Sequence, residues 1–204
     1  MSIEIIKADI TELEADAIVN AANSSLLRGD GVCGAIFKKA GFDLDKECQK
    51  IGHCNTGEAA ITKGYNLKAK YIIHTVAPVW NDNSFKEKRE ELLKNCYSNI
   101  FRVAIENNIK TIAIPCIGTG IYGCPIELGR DYAFEIAKKV ESKFSKIYLV
   151  CFGDKEFEIY NDFDNYNFKF EEGVDLIIRG KRFCDGRIAT ALENGTIEKL
   201  CNNL

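Results

Sequence analysis

Residues 17–37 read AIVNAANSSLLRGDGVCGAIF. Ala17-Ile18-Val19-Asn20 is a short apolar run ending in polar residues, the pattern of a buried strand that stops at a loop. Two amides follow one another at Asn20 and Asn23, and a loop with Gly29, Gly31 and Gly34 leads into a helical pattern over 34–50 that breaks at Gly41. Glycine lets a ligand come close to the backbone, and the start of a helix presents unpaired N–H groups and a positive dipole end. The segment has the chemistry of a phosphate and sugar site.

A second loop of this kind, Gly118-Thr119-Gly120-Ile121-Tyr122-Gly123, follows a short buried strand at Thr111–Pro115. It precedes a helix expected to open at Pro125, since proline suits the first helical position. Two such loops at one sheet edge suit a diphosphate held from both sides. A tight connection in an ordinary sandwich accounts for either loop alone, but poorly for both. Neither loop is GxxxxGK[ST] or GxGxxG, so the P-loop and dinucleotide-fold fingerprints do not apply.

Further strands are expected at Ile3–Ala8, Glu58–Thr62, Lys70–Val76 and Lys146–Phe152. A long amphipathic helix is expected from Phe85 to Asn107, with Leu92, Leu93, Cys96, Ile100, Val103 and Ala104 at helical spacing. Buried strands alternating with such helices predict an α/β protein, a three-layer α/β/α sandwich with a mixed, largely parallel sheet. Ligands of such sheets bind outside the carboxyl ends of strands, so the loops after Asn20, Pro115 and Phe152 share one mouth. Glu156–Tyr166 is a candidate final helix, although its aromatic, Asn/Asp-rich composition is a poor helix former. Residues 1–168 are assigned to one domain. Residues 169–204, with a helix expected around Ile188–Leu200, form a C-terminal extension without an assigned role.

A chain of 204 residues is long enough for one domain with a sizeable core. A net charge of −3 provides no basic field and argues against generic nucleic-acid binding. No apolar run approaches bilayer length, so no membrane partner is expected. Met1-Ser2-Ile3-Glu4 leads straight into a strand without a secretion pattern, and a cytoplasmic location is expected. The nine cysteines sit in apolar segments such as IAIPCIG, with Cys116, and IYLVCFG, with Cys151, and read as reduced, buried thiols. Cys48, His53 and Cys54 form a C-x4-H-C group that lacks a fourth ligand, so neither a metal nor a cofactor is expected. His74 lies inside a strand and reads as a core histidine with its hydrogen bonds satisfied.

NAANSSLL, GVCGAI, GEAAITKGYNLKAKYIIHTVAPVW and GTGIYGCP, in this order, resemble the macrodomain family. The similarity runs from about Ile3 to Phe152. It is strongest to the MacroD-type branch of O-acetyl-ADP-ribose deacetylases and mono-ADP-ribosyl hydrolases. The resemblance implies a macrodomain fold, ADP-ribose or ADP-ribosylated protein as partner, and contact with nucleic acid only through ADP-ribosylated ends. It implies that Asp9 accepts the adenine amino group with Ile10 as backbone partner, and that Phe152 stacks on adenine. Read alone, Asp9 also fits a cap for a turn at Thr11–Leu13, and Phe152 a core residue. Gly31 and Val32 match the first phosphate loop and Gly118, Thr119, Gly120, Ile121, Tyr122 and Gly123 the second, with Tyr122 lining the distal ribose. Asn23 matches the amide that orients this ribose, and Asn20 is assigned a structural role tying the loop together.

The sequence departs from the family where catalysis is centred. MacroD-type enzymes carry at the position of Cys33 an aspartate credited with activating water. A thiol is shorter, and is protonated at neutral pH unless the helix N-terminus lowers its pKa. Three accounts stand open: water activated by the substrate's own phosphate, with Asn23 and the loops supplying geometry; Asp30 as a displaced base, opposed by repulsion from the diphosphate; or an ADP-ribose reader without turnover. Cys33 as nucleophile ranks below these, because no histidine lies near it in sequence and an inert buried thiol is commoner.

Overall fold

The computed structural model describes residues 2–83 and 86–167. Six strands, β1 (Ile3–Lys7), β2 (Ala17–Ala21), β3 (Ala59–Lys63), β4 (Tyr71–Thr75), β5 (Thr111–Pro115) and β6 (Lys146–Cys151), form one sheet. Its order is β1-β6-β5-β2-β4-β3. Every neighbouring pair is parallel except β3 with β4, which the Gly64–Asn66 turn makes antiparallel. The sheet is therefore mixed and largely parallel, as expected. β2 at its centre is buried from Ala17 to Asn20, the run of apolar residues that a strand covered on both faces requires.

Among the described residues, five α-helices complete the layers: α1 (Gly31–Ala40), α2 (Phe42–Ile51), α3 (Arg89–Glu106), α4 (Ile126–Val140) and α5 (Asp154–Asn167). Ile36, Phe37 and Ala40 of α1 and Leu44 and Cys48 of α2 pack on Ile18, Ile72, Ala113 and Val150 of the sheet. Strand alternation sends Val19, Ile73, Ile112, Ile114 and Leu149 to the opposite face, where α3 packs on α4, β3 and β4. β2 thus continues into a helix on one face, while its neighbour β5 continues into a helix on the other. Between them the sheet has a topological switch point, which opens a crevice at the carboxyl ends.

Several boundaries differ from expectation. α3 begins at Arg89, and Phe85 lies outside the described residues. Pro125 caps α4 instead of opening it, because its ψ of 132° is extended. β6 ends at Cys151, leaving Phe152 beyond the sheet. α5 forms despite its composition: Tyr160 is buried, and Arg130 Nη1 donates to the Ile159 carbonyl at 2.9 Å. Tertiary contacts override a weak propensity here. One compact unit spans Met1–Asn161. The expected extension at 169–204, with its helix around Ile188–Leu200, lies outside the described residues.

Candidate functional site

A cavity of about 570 Å³ lies at the carboxyl ends of β2, β5 and β6, within the ~300–1,000 Å³ typical of small-molecule sites. The loop from β2 to α1 forms one wall, the loop from β5 to α4 the other, and Phe152 with α5 closes one end. Of the residues expected at a site, Asp9, Ile10, Asn23, Gly31, Val32, Cys33, Gly118, Thr119, Gly120, Ile121, Tyr122 and Phe152 all line it. Gly123 does not. Its φ of +73° and its N–H bond to the Gly120 carbonyl at 2.9 Å close the turn behind the wall, so its role is to shape the loop.

The first loop is held by Asn23. Its Nδ2 donates to the Leu27 carbonyl at 2.7 Å, and the Leu27 amide donates back to Oδ1 at 3.1 Å. Between them Leu26 adopts a left-handed φ of 54° while buried in the core, a conformation costing about 1–3 kcal/mol that surrounding contacts must offset. Gly34 allows the loop to fold back on α1: a Cβ there would stand 2.5 Å from the Gly29 carbonyl oxygen. In the second loop Gly118 has φ +77°. Gly120 faces open space, and a Cβ added there would meet nothing within 4 Å.

Among the described residues, the charged members of the lining are Asp9, Asp30 and Glu156, all acidic. An anion in this cleft is therefore served by backbone amides and the α1 N-terminus rather than by cationic side chains. Asp9 is both a turn cap and a lining residue of the cleft. It caps the turn Ile10–Glu12 by accepting from Thr11 N at 2.9 Å and Thr11 Oγ1 at 2.8 Å, both through Oδ1, and it also lines the cleft. Phe152 is 81% exposed. It lines the cleft and is not a core residue.

Cys33 sits in the first turn of α1, largely buried at the cleft floor. Burial raises its pKa above the ordinary thiol value, and the contact with Asn20 opposes that. Asn20 Nδ2 lies 3.7 Å from Cys33 Sγ and 3.1 Å from His74 Nδ1. Asn20 thus ties β2 to His74 and α1 rather than to the loop. His74 is fully buried, its Nε2 stands 2.8 Å from Thr62 Oγ1, and burial depresses its pKa to about 4.

Cys48, His53 and Cys54 do not converge. Cys48 Sγ lies 4.0 Å from His74 Nε2, His53 Nε2 pairs with Asn55 Oδ1 at 3.1 Å, and the Cys54 thiol points to the Asn55 carbonyl.

Among the lining residues with a reactive or ionisable side chain, two are not marked by the sequence. Cys116, expected to be buried, is the first residue after β5 and is partly exposed in the cleft. Glu156, in the first turn of α5, also lines it. The apolar run before Cys116 hides the strand end, and α5 itself was only a candidate.

The model of a family described as "Macro domain" matches residues 19–133. A macro domain-containing protein of Chlorobaculum tepidum is 48% identical, over 78% of this chain and 92% of its own length. A protein of Escherichia fergusonii named O-acetyl-ADP-ribose deacetylase is 45% identical, over 78% of this chain and 93% of its own. The solved structure of an Oceanobacillus iheyensis macrodomain variant with ADPR is similar at TM-score 0.77 and 36% identity, over 82% of this chain and 94% of that one.

Proposed function

The chain belongs to the macrodomain family, and on that premise we propose that its cleft binds ADP-ribose and hydrolyses ADP-ribose linkages, in mono-ADP-ribosylated protein or in O-acetyl-ADP-ribose. One observation supports the binding: two loops and an exposed aromatic bound one cavity. Phe152 stacks on adenine, whose amino group donates to the Asp9 carboxylate, an obligate acceptor when ionised. The amides of the two loops take the diphosphate. At the distal ribose, Asn23 keeps one N–H and one lone pair beyond those committed to Leu27, enough to orient a ribose hydroxyl.

With a protonated thiol at position 33, hydrolysis proceeds by positioning. Water is held by the ligand's own phosphate, and Asn23 with the Gly118–Tyr122 loop fixes the attacked centre. Asp30 is exposed at the cleft rim and caps α1 without a side-chain bond, which makes it a poor base for a water at the floor. Among the described residues the cysteines are free and mostly buried, which supports a reducing cytoplasm, with ADP-ribosylated proteins as the proposed partners.

A second reading, an ADP-ribose reader without turnover, is favoured by the raised pKa and burial of Cys33. Calorimetry with ADP-ribose, AMP and ribose 5-phosphate, beside turnover assays on both substrates, separates the two. The expected result is micromolar ADP-ribose binding, about −8 kcal/mol, tighter than AMP, with measurable turnover. Equal affinity for AMP and ADP-ribose sinks the site assignment. Binding without turnover leaves the reader.

A further inference from the structure

Two cysteines without a role in this scheme stand side by side at the ends of β5 and β6. β5 and β6 run in parallel register to Pro115 opposite Val150, so Cys116 and Cys151 come next on the two strands. Their Sγ atoms are 3.9 Å apart. Neighbouring strands lie about 4.8 Å apart, inside the roughly 4.4–6.8 Å between Cα atoms that a disulfide bridges.

The two thiols differ in environment. Cys116 is partly exposed and lines the cleft, whereas Cys151 is fully buried. Contact with Cys151 holds the Cys116 thiol below its ordinary pKa despite burial, while the same contact and burial push Cys151 up. An accessible thiol of lowered pKa beside a second cysteine is the arrangement of a peroxide-sensitive pair.

We propose that Cys116 is an oxidation site within the cleft, and that hydrogen peroxide joins it to Cys151 in a disulfide that weakens ADP-ribose binding. The Cys116 thiolate attacks one peroxide oxygen: an S–O bond forms, the O–O bond breaks, and hydroxide leaves and takes up the thiol's proton as water. The resulting sulfenic sulfur is attacked by Cys151. An S–S bond forms, the S–O bond breaks, and the second water leaves with the Cys151 proton. Two thiols lose two electrons in total and one peroxide gains them.

The link from this bond to the ligand is geometric, and it rests on the reading that the cleft holds ADP-ribose. An S–S bond of about 2.05 Å requires the two sulfurs to close much of their present 3.9 Å. The Cys116 carbonyl anchors the second loop by accepting from Thr119 Oγ1 at 3.0 Å, and Cys151 directly precedes Phe152. Closure therefore displaces the diphosphate loop and the adenine platform together. Bound ADP-ribose, conversely, covers Cys116 and slows its oxidation.

The test treats the full chain with hydrogen peroxide, with and without saturating ADP-ribose. Linked peptides are mapped by mass spectrometry under non-reducing conditions, and ADP-ribose is titrated before oxidation, after it, and after dithiothreitol. The expected results are a Cys116–Cys151 peptide that forms more slowly with ligand present, affinity at least tenfold weaker, and recovery on reduction. Cys151→Ala, with Cys151→Ser as a second variant, should form no linked peptide and accumulate a dimedone-reactive Cys116. The proposal is overturned if both thiols stay alkylatable while peroxide is consumed elsewhere. It is equally overturned if the disulfide forms with affinity unchanged, or if affinity falls as much in the Cys151 variants. Failure of the reduced wild type to bind ADP-ribose instead overturns the cleft's ligand assignment, and the linked peptide still reports on the cysteine chemistry.

Discussion

The carboxamide of Asn23 and the backbone of Leu27 bond each other twice, at 2.7 and 3.1 Å, around a left-handed Leu26. The first loop is thus ordered by its own side chain, and the same side chain lines the cleft where the distal ribose is proposed to lie. Asn23→Ala removes both functions. The expected outcome is ADP-ribose affinity at least tenfold weaker and turnover lost, with melting lowered by the equivalent of about 1–2 kcal/mol for two hydrogen bonds in a partly exposed loop. Unchanged affinity, measured by calorimetry, would remove Asn23 from the site.

Gly120 contributes open space. No heavy atom lies within 4 Å of where its Cβ would be, so Gly120→Glu folds without a clash and places a carboxylate where the diphosphate should sit. The expected result is an unchanged melting temperature with ADP-ribose binding abolished by steric overlap and like-charge repulsion. Binding that persists in the folded variant takes the second loop out of the phosphate site.

Asp9→Ala tests the turn cap and the proposed adenine contact of one carboxylate together. Loss of the cap on Thr11 lowers stability by about 1 kcal/mol. Loss of the adenine acceptor weakens adenine-containing ligands by roughly 1–3 kcal/mol. Ribose 5-phosphate, which has no adenine, serves as the control; an equal loss for it means that Asp9 acts only through the fold.

The two glycine-rich loops that bound the cleft are legible because the constraint that makes them is local: glycines and amides between an apolar strand and a helix. The exposure of Phe152 followed only from family resemblance, since the buried residues before it, Val150 and Cys151, continue the pattern of a core strand. The Asn23 clasp depends on the φ of Leu26, which no composition rule assigns to leucine. α5 was obscured because its stability comes from Tyr160 burial and Arg130 rather than from helix propensity. Cys116 reads as buried because a strand's last residue and the first one past it look alike in an apolar run.

His74 predicts acid sensitivity. In the neutral ring Nδ1 accepts from Asn20 and Nε2 donates to Thr62, and burial lowers the folded pKa to about 4 from 6.5. Between these values the unfolded chain binds the proton and the folded one does not. The contribution is fully present above pH 6.5 and is lost as pH falls towards 4, by roughly 3 kcal/mol at most. Urea unfolding at intervals from pH 7 to pH 4 should show this decline, and His74→Gln should flatten it. An identical slope in the variant assigns the acid sensitivity to other groups.

Cys33 is where the chemistry can be altered by one atom group. Cys33→Asp places a carboxylate in the first turn of α1, within reach of Asn20 Nδ2, which now stands 3.7 Å from the thiol. A carboxylate there can take a proton from the attacking water. General-base help of this kind is worth about 10²–10⁴-fold, reduced here because the burial that raises the Cys33 pKa also acts against an ionised aspartate. The expected outcome is faster turnover on O-acetyl-ADP-ribose or mono-ADP-ribosylated protein with little change in ADP-ribose affinity. Cys33→Ala divides the remaining accounts. Activity equal to wild type means that the thiol is passive and that Asn23, water and the ligand's phosphate suffice. Activity lost while binding persists makes the thiol catalytic and defeats hydrolysis by positioning alone. If all three proteins bind and none turns over, the chain is a reader of ADP-ribose.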